Sequence, residues 1–170
     1  MIQIIYRTVL LTAVGGALMA VYLMINHREN LVHDPVTMPE WIPFWPLLAI
    51  PYLGMLVVPG CLSLFIREQR DFYQYLVSIT IAFLVVGGIW YFYPTEMIRP
   101  PIPGNWQSHV YREMVSVDNP VCIVPCGHVI TPIAVFCILL RQNSRWFFWL
   151  LPLLSLGIIS IVVTWQHRPI

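Results

Sequence analysis

The stretch FYQYLVSITIAFLVVGGIWYFYPT, residues Phe72–Thr95, contains no charged side chain. An α-helix needs about 20 apolar residues to cross the hydrocarbon core of a bilayer, and this stretch is long enough. Four further stretches lack Asp, Glu, Lys and Arg over similar lengths: Thr8–Ile25, Trp41–Ile66, Asn119–Leu140 and Trp146–Gln166. We predict an all-α fold, a polytopic transmembrane helix bundle forming one membrane domain over residues 1–170, with spans near 4–25, 41–66, 72–93, 126–140 and 146–166.

The composition supports a membrane protein and excludes several other classes. Hydrophobic residues make up 58% of the chain, charged residues only 10%, and the mean hydropathy is +0.73. Soluble domains contain about 45–50% apolar and about 25% charged residues. An ordinary soluble domain, a disordered tail and a nucleic-acid-binding module are therefore excluded. We therefore expect the protein to be embedded in a membrane, and we predict no nucleic-acid partner.

The distribution of arginine predicts the orientation of the spans. The two tight connections, Arg67–Asp71 and Arg141–Arg145, each carry two Arg and would lie on the same side as Arg7. The positive-inside rule puts that side in the cytoplasm, and Arg7 is expected to snorkel to the membrane interface. The small size favours a bacterial plasma membrane, so we predict an integral, multi-pass protein of that membrane whose longer connections face outward.

The outward loop, residues 94–125, is rich in proline. It holds six of the 15 prolines of the chain: Pro94, Pro100, Pro101, Pro103, Pro120 and Pro125. A loop of this length without regular structure is uncommon in a compact protein and is usually functional or disordered. Because proline restricts the backbone, we predict that this loop forms an ordered cap over a site.

Three ionisable residues lie next to predicted spans at the same outward surface. Arg99 follows the third span, His128 begins the fourth, and His167 follows the fifth. The guanidinium of Arg matches the geometry of phosphate oxygens. One His can attack phosphorus while another protonates the leaving oxygen. The three side chains together predict a phosphate site at this end of the bundle.

The motifs around these residues resemble the signatures of the type 2 phosphatidic acid phosphatase superfamily, which are K-x6-R-P, P-S-G-H and S-R-x5-H-x3-D. The corresponding segments here are Phe92-x6-Arg99-Pro100, Pro125-Cys126-Gly127-His128 and Ser160-Ile161-x5-His167. They follow the third span, start the fourth and follow the fifth, as in that family. Tyr93-Pro94-Thr95 looks like the branch that contains the inositol phosphorylceramide synthases. The resemblance covers about residues 73–170.

The resemblance implies a six-helix core, of which five spans are present here, and phosphoryl transfer through a phosphohistidine. His167 would be the nucleophile and His128 the general acid, while Arg99, Cys126 and Gly127 would bind the phosphate. No metal ion and no other cofactor would be needed. The substrate would be a phospholipid or an isoprenoid-type phosphate at the outer face. Water as acceptor would make the protein a phosphatase, and a lipid or sugar hydroxyl would make it a phosphotransferase.

The sequence departs from the family signatures at several positions. Phe92, Cys126 and Ile161 stand where the signatures have Lys, Ser and Arg. The Asp that orients the nucleophilic His would come directly after Ile170, followed by the sixth helix, so C-terminal truncation is expected. The alternative is therefore a catalytically inactive, truncated or degenerate member of the same fold that serves as a lipid- or partner-binding membrane protein.

Two other functions stay open: a zinc-binding protein, and a transporter or channel. Cys122, Cys126 and His128 have three possible zinc ligands within seven positions, with His109 as a candidate fourth. A transporter or channel would instead need polar residues at mid-bilayer, whereas the charged residues here cluster near the span ends.

Overall fold

The computed structural model describes residues 2–28, 34–102, 104–142 and 145–164. Within these ranges the chain forms six α-helices and two short strands. In chain order they are α1 Ile2–Asn26, β1 Asp34–Val36, α2 Ala49–Ser63, α3 Gln69–Phe92, β2 Thr95–Met97, α4 His109–Val117, α5 Ile130–Arg141 and α6 Trp146–Val163. Single 3-10 turns precede three of the helices, at Pro46–Leu48, Trp106–Ser108 and Gly127–Val129.

Three helical segments are long and apolar enough to cross a membrane: Ile2–Asn26, Pro46–Ser63 and Gln69–Phe92. The other two predicted spans also form apolar helices, but these are shorter, at Gly127–Arg141 and Leu150–Val163. The protein is therefore a mostly helical bundle with three candidate membrane spans among its described residues.

The helix in the predicted span 41–66 is shorter than the apolar stretch that contains it. Helical conformation starts with the turn at Pro46 and ends at Ser63. Proline suits the first position of a helical turn because the N–H that it lacks would have no partner there. The backbone N–H of Trp45 donates to the carbonyl oxygen of Val163 at 2.8 Å, so the approach to α2 is bonded to the end of α6.

The end of the bundle that carries the α2–α3 and α5–α6 connections is called the loop end. Arg7 of α1 is buried there, and its Nη1 donates to the carbonyl oxygens of Leu64, at 3.2 Å, and Ile66. These carbonyls follow the last turn of α2, where unpaired acceptors and the helix dipole favour a cation. Arg7 thus reaches the end of the bundle, as a snorkelling side chain would, but it is buried there and binds the loop that joins α2 to α3.

The hydrophobic core lies between α3, α5 and the adjoining helices. Its buried side chains are Ile66, Phe72, Tyr75, Leu76, Ile79, Val135, Leu139 and Leu150. On another side, α2 packs closely against α6 at Gly157. A Cβ at that position would overlap the side chain of Met55, so the absence of a side chain sets how near the two helices lie.

The opposite end of the bundle carries the cap, which comprises the described residues of 34–45 and 94–126. β1 and β2 pair in parallel, with Asp34 opposite Thr95 and Val36 opposite Met97. A small apolar cluster of Met38, Ile42, Met97 and Ile123 holds the two cap segments together. The sequence predicts an all-α fold in which 94–125 is a loop without regular structure. The described residues of this segment instead include β2 and the helix α4, so the cap has regular structure of its own.

Candidate functional site

His128 lies in the turn Gly127–Val129, directly before α5, at the cap end. Its Nε2 is 2.5 Å from the hydroxyl oxygen of Tyr52, and the two rings are 4.9 Å apart between centroids. Tyr52 belongs to the first turn of α2 and is only 2% exposed. The imidazole orientation is therefore fixed by a buried phenol on another helix.

Cys126 lies on the other side of the imidazole, with its Sγ 3.9 Å from Nδ1 of His128. Burial raises the pKa of the Cys126 thiol to about 11. The thiol therefore stays protonated at neutral pH and is a weak hydrogen-bond donor. It occupies the position of the Ser hydroxyl in the family signature, with an S–H in place of the O–H.

The Trp90 indole lies so close to the backbone at residue 127 that only glycine fits there. A Cβ at Gly127 would lie 2.5 Å from Cη2 of that ring. Trp90 is buried, and its Nε1 donates to the carbonyl oxygen of Pro125 at 2.9 Å. The indole of α3 thus holds the backbone immediately before His128.

Arg99, in the cap after β2, is held by Asp118. Its Nη1 donates to the backbone oxygen of Asp118 at 2.8 Å, and Nη2 lies 3.4 Å from the carboxylate Oδ2. The hydroxyl of Tyr22 in α1 donates to the other carboxylate oxygen. Asp118 therefore links the cap arginine to α1.

Asp118 has an electrostatic environment in which opposing effects compete. Burial raises the pKa of its carboxyl, while the hydrogen bond from Tyr22 and the charge of Arg99 lower it. Burial is the largest of these effects, so the net pKa lies above the ordinary value.

A cavity of about 500 Å³ opens beside His128. Its wall is mostly apolar and includes Leu11, Leu18, Met19, Leu53, Ile79 and Phe83. The polar side chains in the wall are Tyr22, Tyr52, Tyr75, Glu113, Asp118, His128 and Thr131. From Leu11 to Tyr22, α1 lines it over about 16 Å at 1.5 Å per residue. This combination of an apolar wall and a few polar groups is typical of a small-molecule site.

The segments that carry the three sequence motifs meet around Tyr52. Its hydroxyl is bonded to His128 and lies within Coulombic range of Arg99 and Cys126. The ring packs in one cluster with Ile161 of α6, and Cys126 lies against that cluster. Residues separated by more than 60 positions in sequence, from Arg99 to Ile161, are thus gathered at the cap end.

Of the predicted site residues, Arg99, Cys126, Gly127 and His128 are described and lie in this region, whereas His167 lies outside the described residues. Sequence reasoning missed Tyr52 and Asp118. A hydroxyl inside an otherwise apolar stretch could have indicated Tyr52, and an acid in a proline-rich loop beside predicted spans could have indicated Asp118.

A metal site finds no support in the described part of the chain. No three His, Cys, Asp or Glu side chains there are grouped so that they could hold a metal ion. His109, the candidate fourth ligand, lies on an exposed face of α4, and its Nδ1 is 3.8 Å from Glu113. Cys122, Cys126 and His128 therefore do not form a zinc site in the described part of the chain.

Comparison with known proteins gives no match: no family model fits the chain, and no curated protein or solved structure resembles it significantly.

Proposed function

We propose that this protein is a multi-pass membrane enzyme that removes or transfers the phosphoryl group of a lipid phosphate at its cap end. The observation that carries the proposal is the convergence of the three motif segments around Tyr52. His128 is hydrogen-bonded to Tyr52, Ile161 packs in the same apolar cluster as Tyr52, and Arg99 lies within Coulombic range of its hydroxyl. Such a convergence is expected if the motifs together form a phosphate site.

The cavity beside His128 supports a lipid substrate. Its apolar wall would hold a hydrocarbon or isoprenoid chain, and its polar groups lie where the phosphate would be placed. Transfer of apolar surface from water into such a site is favourable by about 25 cal/mol per Å². The apolar part of the substrate would thus supply binding energy while the headgroup lies against His128.

The roles follow from the chemistry of phosphoryl transfer, which depends on positioning and charge stabilisation. Arg99 would neutralise charge on the phosphate oxygens, and Asp118 keeps its guanidinium oriented before substrate binds. His128 would be the acid for the leaving oxygen, and His167 would form the phosphoenzyme. Cys126 and the Gly127 amide would add weaker donors.

The distribution of arginine favours an outward-facing site in a bacterial plasma membrane. Arg7, Arg67, Arg70, Arg141 and Arg145 lie at the loop end of the bundle. By the positive-inside rule the loop end would face the cytoplasm, and the cap with its site would face outward. A membrane-impermeant thiol reagent tests this orientation, because cysteines introduced in α4 should react in intact cells and cysteines at Arg145 should not.

The enzyme assay uses the 170-residue chain in detergent with a diacylglycerol phosphate, an isoprenoid phosphate and a phosphodiester lipid. Replacing His128 with Ala should lower turnover by about 10²-fold or more, the usual contribution of a general acid. His167→Ala should abolish turnover and the acid-labile phosphate label on the protein. His109→Ala is the matched control, because that imidazole is exposed on α4. Full turnover in both site variants would exclude the proposal.

A second candidate is a lipid-binding protein of the same fold without catalysis. It is favoured by Ile161, which packs in an apolar cluster at the position where the family signature has Arg. Phe92 likewise stands at the position of the signature Lys and is exposed. Saturable binding of lipid phosphates without phosphate release would favour this candidate.

A further inference from the structure

His128 is the middle of a short polar chain that leads to the cavity. On one side the Cys126 thiol lies 3.9 Å from Nδ1, and on the other the Tyr52 hydroxyl lies 2.5 Å from Nε2. Burial holds the pKa of the thiol at about 11, so Cys126 keeps its S–H at neutral pH. In the imidazolium, the form that acts as a general acid, both ring nitrogens carry protons, so Nδ1 donates to the Cys126 sulfur and Nε2 donates to the Tyr52 oxygen.

With the proton on Nε2, the imidazole donates to the oxygen of Tyr52. The Tyr52 oxygen then accepts from the imidazole of His128. Its own hydrogen is free to donate elsewhere and points away from the imidazole. Tyr52 lines the cavity together with His128. The group that presents a proton to a bound substrate is therefore the phenol, while both imidazole nitrogens face protein groups.

On the basis of the proposed function, we infer that Tyr52 relays the proton from His128 to the leaving oxygen. As phosphorus bonds to the nucleophilic His of the proposed function and its bond to the leaving oxygen breaks, the Tyr52 hydroxyl proton moves to that oxygen. The proton on Nε2 of the His128 imidazolium moves to the Tyr52 oxygen in the same step. The products are the phosphoenzyme, an alcohol, a neutral Tyr52 and a neutral His128 imidazole with its proton on Nδ1, so bonds, protons and charge balance.

The phenol is also part of a packed cluster, so its hydroxyl must be tested apart from its ring. The Tyr52 ring packs with Met55, Leu154 and Ile161. Tyr52→Phe keeps this packing and removes only the oxygen that bonds His128. Tyr73→Phe is the matched control, because it removes a hydroxyl that is bonded to Tyr6 at the loop end of the bundle.

The experiment compares two lipid phosphates that release different alcohols: a long-chain alkyl phosphate, and a p-nitrophenyl phosphate whose ring carries an alkyl chain of similar length. A relay predicts that Tyr52→Phe lowers turnover of the alkyl substrate by about 10²-fold or more. The p-nitrophenyl substrate should be turned over almost as fast as by the wild type, because its leaving oxygen needs no proton. His128→Ala should give the same pattern, and Tyr73→Phe should leave both rates unchanged.

Each outcome has a separate meaning. An equal loss on both substrates in Tyr52→Phe, or no loss on either, overturns the relay and leaves the proposed function standing. No turnover of any substrate by the wild type overturns the relay together with the proposed function. Imidazole ¹⁵N spectra give a second readout: the Nε2 signal of His128 should shift in Tyr52→Phe, and an unchanged signal would contradict the hydrogen bond itself.

Discussion

Asn26 and Asn119 form reciprocal hydrogen bonds across the boundary between α1 and the cap. Asn26 Oδ1 accepts from the backbone N–H of Asn119, and its Nδ2 donates to the Asn119 carbonyl, both at 3.1 Å. The side chain of Asn119 in turn donates to the carbonyl of Asn26 at 3.1 Å. Asn26 is 2% exposed, so these bonds replace water at the last turn of α1.

Asn26→Ala should therefore lower the free energy of unfolding. The substitution leaves the Asn119 N–H and C=O without their partner, and an unsatisfied buried group costs about 1–3 kcal/mol. Thermal unfolding of the purified protein in detergent measures the loss. Gln3→Ala is the control, since its amide is exposed, and it should change stability by less than about 0.5 kcal/mol. Equal stability of the two variants would contradict the role of this pair.

The helices could be predicted from the sequence because apolar stretches of sufficient length report on local structure directly. Their partners could not be predicted in this way. Tyr52 and His128 are 76 residues apart, and no local pattern indicates that a phenol of α2 would bond the turn before α5. The same holds for Tyr22 and Asp118, which meet only after α1 and the cap have packed together.

The helix α4 was missed although the sequence carries a signal for it. Val110, Met114 and Val117 recur at spacings of four and three residues, as on one face of a helix. The prolines on both sides of this segment made the whole stretch look irregular. A proline-rich segment can contain a helix when the prolines stay outside its interior, as they do here.

Gly127→Ala should impair both stability and turnover, because the new Cβ would displace the Trp90 ring. Overpacking of this kind costs about 1–3 kcal/mol. Gly88→Ala is the matched control, since a Cβ there meets no atom within 4 Å. Adding Trp90→Phe to Gly127→Ala should recover part of the loss, because the smaller ring vacates the clashing volume. A non-additive double-mutant cycle from unfolding measurements checks this coupling.

The ionisation of Asp118 should make the free energy of unfolding depend on pH in the acidic range. Its pKa is raised above 3.8 in the folded protein, mainly by burial. The folded state therefore holds this proton more tightly than the unfolded state, and the associated stability is lost as pH rises from about 3.8 through the raised pKa. Asp118→Asn removes this titration.

The measurement is the difference in free energy of unfolding between wild type and Asp118→Asn at several pH values. As pH rises through this range, the wild type should lose stability relative to Asp118→Asn, because only the wild type loses the stability that comes from the bound proton. Other carboxyl groups cancel in the comparison. A difference that is constant over the acidic range would show that Asp118 does not have a raised pKa.

Arg7 should be essential for the loop end because its guanidinium supplies bonds that no aliphatic side chain can replace. Arg7 donates to the carbonyl oxygens of Leu64 and Ile66 and, through Nε, to Gln69 at 3.1 Å. Arg7→Met keeps the apolar stem but removes these donors, so we expect a loss of about 1–3 kcal/mol for each acceptor left unpaired. Arg7→Lys retains a charge without the planar fork and should lie between Arg7→Met and the wild type.

Arg145→Met is the control, because it removes one arginine from the same end of the bundle and the side chain of Arg145 is exposed. Its unfolding temperature should stay close to that of the wild type, whereas Arg7→Met should unfold several degrees lower. If the two variants have the same unfolding temperature, the buried position of Arg7 contributes nothing beyond its charge, and the account of the loop end is wrong.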